Sequence, residues 1–253
     1  MWGLGAEPVE TLTRRVRHYV DIDTDSFKEL SSLSYQLKTY RTGETIIELG
    51  QKVDHVFVVE QGWAIRFRRL ADGRRQILNF MLPGDCFDML AVVGGNSDHS
   101  VAAATKLTLR QVSARDFLDA IGKNSSLATA FWWSVVQEEA ILREQIVRIG
   151  RRSARERVAH MLLELNRRVA AVEGHLSDVV DLPFPQALLG DALGLSVVHI
   201  SRTLSWLRSE GMIGSSVDGI EIRDRERLVK LADFNTDYLH LDRLSLAEAN
   251  VPG

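Results

Sequence analysis

The stretch LGDALGLSVVHISRTLSWLRSEGMIG, residues 189–214, contains two apolar helical patterns separated by Gly194. Glycine adopts the left-handed conformation that ends a helix at little cost, so the first helix is predicted over 185–193. Ser196 can accept a backbone N–H and begin the second helix, and Gly211 is placed to end it. Two helices joined by a turn of about three residues that includes a glycine form a helix-turn-helix.

The outward face of the second helix predicts contact with DNA. Ile200, Leu204 and Leu207 share one apolar face, and the opposite face carries imidazole, hydroxyl and guanidinium groups. A helix buried in a hairpin does not need such a surface, whereas a recognition helix uses it on base edges in the major groove. Arg202 can form a bidentate pair with guanine O6 and N7. The predicted groove-facing residues are Val198, His199, Ser201, Arg202 and Ser205.

The residues after this helix predict a winged helix. The run MIGSSVDGIEIR, residues 212–223, has two extended segments around Asp218-Gly219, which is a strong signal for a hairpin turn. A last helix is expected over 224–232 and completes the unit. A winged helix that binds protein partners is the alternative to one that binds DNA.

Upstream of the helix-turn-helix, residues 143–168 hold eight Arg and three Glu, a net charge of +5 in a chain whose formal net charge is −3. This patch is either solvated helix surface or a surface that faces phosphates, because arginines on a helix face commonly follow a DNA backbone. The predicted phosphate contacts are Gln186, Ser196, Arg151, Arg152 and Arg155.

Residues 40–112 have a different pattern. Short runs rich in Val, Ile, Phe and Thr are separated by turn signals such as Asp72-Gly73 and Pro83-Gly84. They predict a small antiparallel roll of the jelly-roll type. Short amphipathic helices are expected before it, over 8–20 and 25–34.

A long helix is predicted over 124–149, because helical periodicity continues there without a proline or an interior glycine. Gly150 is expected to stop it, and a second helix is expected over 154–172. Four apolar residues of the long helix repeat every seven positions, and Phe131 takes the first matching d position. The pattern predicts a homodimer through this helix, with simple packing on the roll as the alternative. The predicted dimer-interface residues are Ala128, Phe131, Val135, Leu142 and Ile149.

The chain is therefore expected to have an α+β fold with a sensor roll and a DNA-binding unit. The predicted organisation is a helical lead-in (1–39), the sensor roll (40–122), a dimerisation helix (123–150), a winged-helix domain (151–235) and a C-terminal tail (236–253).

Composition excludes several classes of protein. Cys86 is the one cysteine, which rules out an internal disulfide framework, a zinc ribbon and a four-cysteine cluster. The apolar run at 130–136 falls well short of the roughly 20 residues that a membrane span requires. A cytoplasmic protein without a membrane partner is expected.

The order of roll, long helix and winged helix resembles the Crp/Fnr family of bacterial transcription regulators. The resemblance covers about residues 10 to 240 and is best in GRRQILNFMLPGDCF, residues 73–87, and in the helix-turn-helix stretch. It implies a homodimer on a two-fold symmetric operator, with RNA polymerase as a further partner. It also implies that occupancy of the roll is transmitted through the long helix to the recognition helices.

The chain departs from cyclic-AMP-binding members at the positions that hold the ligand. Where those members have a Glu for the ribose and an Arg-Ser pair for the phosphate, this chain has Met89, His99 and Ser100. Methionine is a poor ribose acceptor and a neutral histidine replaces a guanidinium fork badly, so a cyclic nucleotide is not expected. An iron–sulfur cluster is excluded by the cysteine count, and no cofactor is expected. The residues expected around any effector are Met89, Leu90, His99, Ser100 and Trp132.

The sequence leaves the signal open. Cys86 as a redox thiol, His99 as a ligand of haem or of a small effector, control by a protein partner and a regulator without any effector are all compatible with it. A cupin-type enzyme is the rival from another class, but its metal site needs closely spaced His and carboxylate ligands, and the roll has only His55 and His99. No enzymatic activity is expected.

The recognition helix departs from many members of the family at one position. Val198 stands where those members have a glutamate that reads cytosine, whereas Ser201 and Arg202 match the oxygen-responsive branch. The half-sites usual for the family are therefore not assumed, and the contact from arginine to guanine is retained.

Overall fold

A computed structural model describes residues 10–17, 23–217 and 219–241. Its order of elements is two short helices, a β-roll, a long helix and a winged helix, which agrees with the expected α+β class. Asp218 of the predicted Asp218-Gly219 turn, the ends of the predicted helix 8–20 and residues 242–253 of the predicted tail lie outside the described residues.

The roll consists of two four-stranded antiparallel sheets with the strand orders β1-β8-β3-β6 and β2-β7-β4-β5. Val59 and Leu109 of the first sheet and Ala64 and Val101 of the second are all fully buried, so the apolar sides of the sheets enclose a common core. The strands are β1 (Gln36–Tyr40), β2 (Thr45–Ile47), β3 (His55–Gln61), β4 (Ala64–Arg69), β5 (Arg75–Met81), β6 (Cys86–Phe87), β7 (Ser100–Ala103) and β8 (Leu107–Ser113).

Three short helices cover the roll: α1 (Glu10–Val16), α2 (Thr24–Ser32) and α3 (Ala114–Lys123). The last was not predicted and occupies the end of the range assigned to the roll. Ser113 accepts a hydrogen bond from the backbone N–H of Asp116, and Phe117 and Ala120 face the core. A serine followed three residues later by an acidic residue is a helix-start signal, so the local sequence did contain the evidence for α3.

The long helix α4 (Ser125–Arg151) has 27 residues and is capped by the Asn124 side chain. The prediction that Gly150 stops it is wrong, because the helix continues through this exposed glycine and ends where Arg152 becomes extended. A glycine inside a helix costs only about 1 kcal/mol, which a helix of this length tolerates. Within the described ranges, no helix combines the length and the apolarity that crossing a membrane would require.

The prediction of Phe131 as a dimer contact is also wrong. Its side chain is 6% exposed and meets Phe117 edge to face, with ring centroids 4.6 Å apart, so it belongs to the core of its own roll. Glu138 and Gln145, which share that helical stripe, also pair within the chain. The remaining predicted interface residues are half-buried or exposed: Ala128, Val135, Leu142 and Ile149.

The winged helix follows α5 (Ala154–Glu173), which begins with a capping box between Ser153 and Glu156. Its three-stranded sheet has the order β10-β11-β9, and β9 was not predicted. The remaining elements are β9 (Val179–Val180), α6 (Gln186–Leu193), α7 (Val197–Ser209), β10 (Ile213–Ser216), β11 (Gly219–Ile222) and α8 (Arg225–Ala232).

One side of the roll shares a core with the winged helix, separate from the core that the two sheets enclose. Phe184, which precedes α6, stacks on Phe80 of β5 with centroids 4.9 Å apart and meets Trp63 at 5.4 Å. Arg75 of β5 pairs with Asp191 of α6 at 2.7 Å. The DNA-binding unit is therefore held against the β4–β5 side of the roll.

The described residues after α8 pack against the rest of the protein, whereas residues 236–253 were predicted to form a C-terminal tail. A turn of 3₁₀ helix, Asp237–Leu239, lies against α4, and Leu239 is fully buried.

Candidate nucleic-acid interface

The turn of the helix-turn-helix depends on two glycines. Gly194 has φ +65°, a conformation that side-chain-bearing residues rarely adopt, and it ends α6. Gly190 has an ordinary helical backbone, but a Cβ there would lie 2.6 Å from the carbonyl oxygen of Leu195. The backbone N–H of Leu195 donates to the Gly190 carbonyl at 3.0 Å. Gly190 therefore allows the close approach of Leu195, and Gly194 reverses the direction of the backbone. Together they position the start of α7.

Helix α7 presents its polar face to solvent. Ser196 caps the helix and accepts a hydrogen bond from the backbone N–H of His199 at 3.3 Å. Ile200, Leu204 and Leu207 are at most 1% exposed and hold the opposite face in the core. The structure places all five predicted groove-facing residues on the exposed side of α7, together with Arg208: Val198, His199, Ser201, Arg202 and Ser205.

Gln186 and Ser196 lie at the N-termini of the two helices of the motif. Both are exposed; Gln186 is the first residue of α6 and Ser196 precedes the first residue of α7. The N-terminus of a helix carries unpaired N–H groups and a partial positive charge, which favours a phosphate. Their positions suit the phosphate contacts predicted for them.

The predicted arginine group is divided by the structure. Arg151 is exposed at the end of α4, and the Arg155 guanidinium lies 3.8 Å from the ring centroid of Trp206 on α7. Arg152 is largely buried and forms an ion pair with Glu144. A guanidinium engaged in this way is poorly placed for DNA, so Arg152 is corrected from a phosphate contact to an internal partner of α4.

The charge of residues 143–168 is only partly a surface property. Arg148 and Arg168 are 1% and 2% exposed, and both lie beside the buried carboxylate of Glu164. The net charge of +5 therefore overstates the basic surface available to a DNA backbone. The sequence could not reveal this, because a further partner of Arg168, Asp85, lies 83 residues away along the chain.

Arg157 is a positioning residue that the sequence interpretation missed. Its Nε donates to the carbonyl of Arg152 at 2.7 Å, and its Nη1 donates to the carbonyl of Leu193 at 3.0 Å. These two carbonyls lie just after α4 and at the last residue of α6. One guanidinium thus joins the end of the long helix to the turn that precedes α7.

His160 is buried beside the same hinge. Its Nδ1 accepts from Arg148 at 3.0 Å, so its Nε2 carries the proton, and that nitrogen lies 3.1 Å from Glu144 Oε1. Burial, with the nearby Arg148 and Arg152 charges, lowers the pKa of His160 from 6.5 to about 2. His160 is therefore neutral in the folded protein at all ordinary pH values.

This burial predicts a loss of stability in mild acid. The unfolded chain binds a proton at His160 below pH 6.5 and the folded chain does not, so the free energy of unfolding falls as the pH decreases. Between pH 7.5 and 5 this group should remove about 2 kcal/mol. In urea titrations, His160→Gln should have a shallower pH dependence than wild type across this range. Identical slopes would show that His160 does not control the acid sensitivity.

Two of the residues predicted around an effector already have partners within the roll. His99 is held between two carboxylates, with Nε2 at 2.9 Å from Asp88 and Nδ1 at 2.7 Å from Asp98. The Ser100 hydroxyl accepts the backbone N–H of Leu49 at 3.0 Å. Met89 and Leu90 lie in the 3₁₀ helix Met89–Val93.

Trp132 is corrected from an effector contact to a surface residue. Its side chain is 69% exposed on α4, whereas its neighbour Trp133 packs against the roll. A cavity between the roll, α4 and α5 is lined by Cys86 and Asp85 among others and has a volume of about 20 Å³, room for roughly one water molecule. Burial raises the pKa of the Cys86 thiol, which keeps it protonated and unreactive.

Metal chemistry of the cupin type has no support in the side-chain arrangement. Within the ranges that the structure describes, no three His, Cys, Asp or Glu residues are grouped so that they could hold a metal ion.

Comparison with known proteins identifies both halves of the chain. Residues 37–124 match the family model of the cyclic nucleotide-binding domain, and residues 156–231 match the Crp-like helix-turn-helix domain. The nitrogen fixation regulation protein FixK of Bradyrhizobium diazoefficiens is 31% identical over 211 residues, which cover 83% of this chain and 87% of FixK. The transcriptional activator protein FnrL of Cereibacter sphaeroides is 29% identical over 225 residues, covering 85% and 87% of the two chains.

A solved structure shows the same arrangement of elements. FixK2 from Bradyrhizobium japonicum superposes with a TM-score of 0.70 at 32% identity, covering 79% of this chain and 98% of FixK2. These relatives are regulators of transcription and not enzymes, which confirms that the winged helix belongs to a DNA-binding regulator.

Proposed function

Because the chain belongs to the Crp/Fnr family of bacterial transcription regulators, we propose that it binds a two-fold symmetric operator as a homodimer. The observation that carries the proposal is the exposed polar face of α7, which bears Arg202 above a fully buried apolar face. Arg202, Ser201 and His199 read bases, and Val198 contacts a thymine methyl group. Gln186, Ser196, Arg151 and Arg155 contact phosphates.

The proposed dimer seam lies on the outer face of α4. Trp132 and Ile146 are 69% and 67% exposed, and Val135 between them is 38% exposed. Single exposed apolar side chains are common, but several along one face of a helix indicate a surface that a partner covers. The complete stripe has alternating spacings of four and three residues, as a two-helix seam requires: Ala128, Trp132, Val135, Glu139, Leu142, Ile146 and Ile149.

The proposed regulator takes neither a cyclic nucleotide nor an iron–sulfur cluster. The carboxylates of Asp88 and Asp98 flank His99 where relatives that bind a cyclic phosphate place an arginine, and they would repel an anion. A roll that responds to no small molecule, with control by abundance or by a protein partner, is the second candidate. It is favoured by the pairing of both ring nitrogens of His99 with carboxylates, which leaves neither nitrogen for a ligand. RNA polymerase is the proposed further partner, and the cytoplasm is the proposed location.

Selection of duplexes from a random library tests the operator. We expect a palindromic site with half-site centres about 34–36 Å, or roughly 10 base pairs, apart, because two recognition helices of a dimer enter successive major grooves on one side of the duplex. Selection of an asymmetric site would contradict the homodimer, and recovery of no preferred sequence would contradict base recognition.

The affinity for DNA should depend steeply on salt. If the dimer neutralises on the order of 8–12 phosphates, log affinity falls against log salt concentration with a slope of about −7 to −11. Arg151→Ala should reduce the magnitude of the slope by about 2, since each subunit loses one phosphate contact. Fluorescence anisotropy titrations between 50 and 300 mM salt measure both slopes. A slope near zero for wild type would refute the electrostatic part of the proposal.

A further inference from the structure

The segment after α8 returns to the junction between the long helix and the DNA-binding unit. Leu239 is fully buried, and its carbonyl oxygen accepts a hydrogen bond from the side-chain amide of Gln137 on α4. The ring of His240 lies 5.6 Å from the ring of Trp133, also on α4. Leu239 and His240 thus contact the long helix, although the chain reaches them from α8 of the DNA-binding unit.

Tyr238 connects the same segment to α5. Its hydroxyl donates to Glu164 Oε2 at 2.8 Å, and its ring lies against the ring of His160 with centroids 5.9 Å apart. Burial and the neighbouring Glu164 carboxylate raise the pKa of Tyr238, so the hydroxyl keeps its proton and remains a donor. Phe234 of the same segment also contacts His160, with its ring edge-on and the two ring centroids 5.0 Å apart.

Glu164 connects the Tyr238 contact to the roll through Arg168. The carboxylate is 2% exposed, pairs with Arg148 of α4 and lies 3.8 Å from Arg168, one turn further along α5. Arg168 then donates to the carbonyl of Phe80 at 2.7 Å and to the carboxylate of Asp85 at 2.8 Å, both in the roll. A continuous set of polar contacts therefore joins the C-terminal segment, the long helix, α5 and the sensor roll.

Such a buried set favours one arrangement of its members. A buried ion pair adds little net stability, but a buried charge left without its partners is strongly destabilising, so the elements resist rearrangement. Glu164 is the point at which three elements meet, because Tyr238, Arg148 and Arg168 all approach it. The Tyr238 donor is supplied by the segment that follows α8, the last helix of the DNA-binding unit.

We propose that residues 233–241 form a C-terminal latch that fixes the DNA-binding unit against α4 and the roll, and thereby sets the separation of the two recognition helices in the dimer. This inference rests on the proposed dimeric operator complex. Tyr238 and Leu239 are positioning residues, since neither lies on the exposed face of α7. Loosening the latch lets each recognition helix sample other positions, so that operators of altered half-site spacing are accepted more readily.

The test compares three duplexes: the palindrome selected by the wild-type protein and the same palindrome with one base pair inserted or deleted at its centre. One base pair moves the half-sites by about 3.4 Å and rotates them by roughly 35°. The full-length variants are Tyr238→Phe, which keeps the ring and removes the donor, and Leu239→Ala. Two matched controls are included. Asp237→Ala changes an exposed position of the same segment, and Tyr35→Phe removes a hydroxyl that donates to the Leu30 carbonyl of α2, far from Glu164 in the sequence.

Wild type and both controls should prefer the original spacing to the same extent. Tyr238→Phe should reduce this preference about tenfold or more, as expected for the loss of one hydrogen bond to a charged group. Leu239→Ala should reduce it at least as much. If both variants weaken binding to the three duplexes by one common factor, the segment only supports folding and the latch is refuted. If wild type binds all three duplexes equally, the two-fold operator is contradicted and the latch falls with it.

Discussion

Arg202→Ala should remove most of the discrimination between the operator and unrelated DNA while leaving sequence-independent binding nearly unchanged. Arg202 is exposed on α7, and its guanidinium is the group on that face best suited to a bidentate pair with guanine. One such pair contributes about 1–3 kcal/mol in each half-site, so the dimer loses about 2–6 kcal/mol, or roughly 30-fold to more than 10⁴-fold in affinity. Titration of the selected operator and of a scrambled duplex at one salt concentration measures the ratio.

Arg208→Ala is the matched control for this prediction. Arg208 is an exposed arginine in the last turn of the same helix, whereas recognition helices read bases mainly with their N-terminal residues. Its removal should weaken binding to both duplexes by a similar, small factor. If Arg202→Ala behaves in the same way as Arg208→Ala, Arg202 contacts phosphates and does not read a base.

Ile146→Asp should convert the proposed dimer into a monomer. Ile146 is 67% exposed on α4 and lies near the end of the proposed seam, where association would bury one new carboxylate from each subunit without a partner. The dissociation constant of the dimer should rise more than about 100-fold, since each buried unpaired charge costs several kcal/mol. Sedimentation equilibrium measures the change, and operator affinity should fall with it because a monomer contacts one half-site.

Two further variants distinguish the proposed dimer interface from the one predicted by the sequence, which included Phe131. Leu118→Asp places the same charge at an apolar residue of α3 that is 41% exposed and outside the stripe, and it should remain dimeric. Phe131→Ala should lower the free energy of unfolding by about 3–5 kcal/mol through loss of its contact with Phe117, without a specific effect on association. If Phe131→Ala dissociates the dimer and Ile146→Asp does not, the dimer interface lies on the face of α4 that contains Phe131.

The helix-turn-helix could be predicted because its signals are local. Gly194 and Ser196 act on the residues next to them: the glycine ends α6 with a positive φ, and the serine caps α7. The alternation of buried and exposed residues on α7 also follows from its own sequence. The local sequence specifies the motif itself, and long-range contacts determine only how it packs against the roll.

The face of α4 could not be predicted in the same way. A repeat of seven fixes Ala128, Val135, Leu142 and Ile149, but the residue three positions after Ala128 and the residue four positions after it are both apolar: Phe131 and Trp132. The choice between the two stripes is made by distant partners. Phe117 covers Phe131, and Arg66 pairs with Glu138 across 72 residues of sequence. Local periodicity contains neither contact.

Charge counting failed at the hinge for a related reason. Arg148, Arg152 and Arg168 look like surface arginines in sequence, and each instead pairs with a carboxylate inside the protein. A signal for part of this network was present, because Glu164 and Arg168 are four residues apart on one helix. The Tyr238 contact could not have been foreseen, since nothing local directs the C-terminal segment back to α5.

The most direct test of the central claim is a thermodynamic cycle between Arg202 and the guanine that it is proposed to read. Operator affinity is measured for wild type and Arg202→Ala, each with guanine or 7-deazaguanine at the contacted position in both half-sites. Since 7-deazaguanine lacks the N7 acceptor, wild type should lose about tenfold or more and Arg202→Ala should lose almost nothing further. Equal losses in the two proteins would show that Arg202 does not contact that base, and would contradict the assignment of α7 as the helix that reads the operator through Arg202.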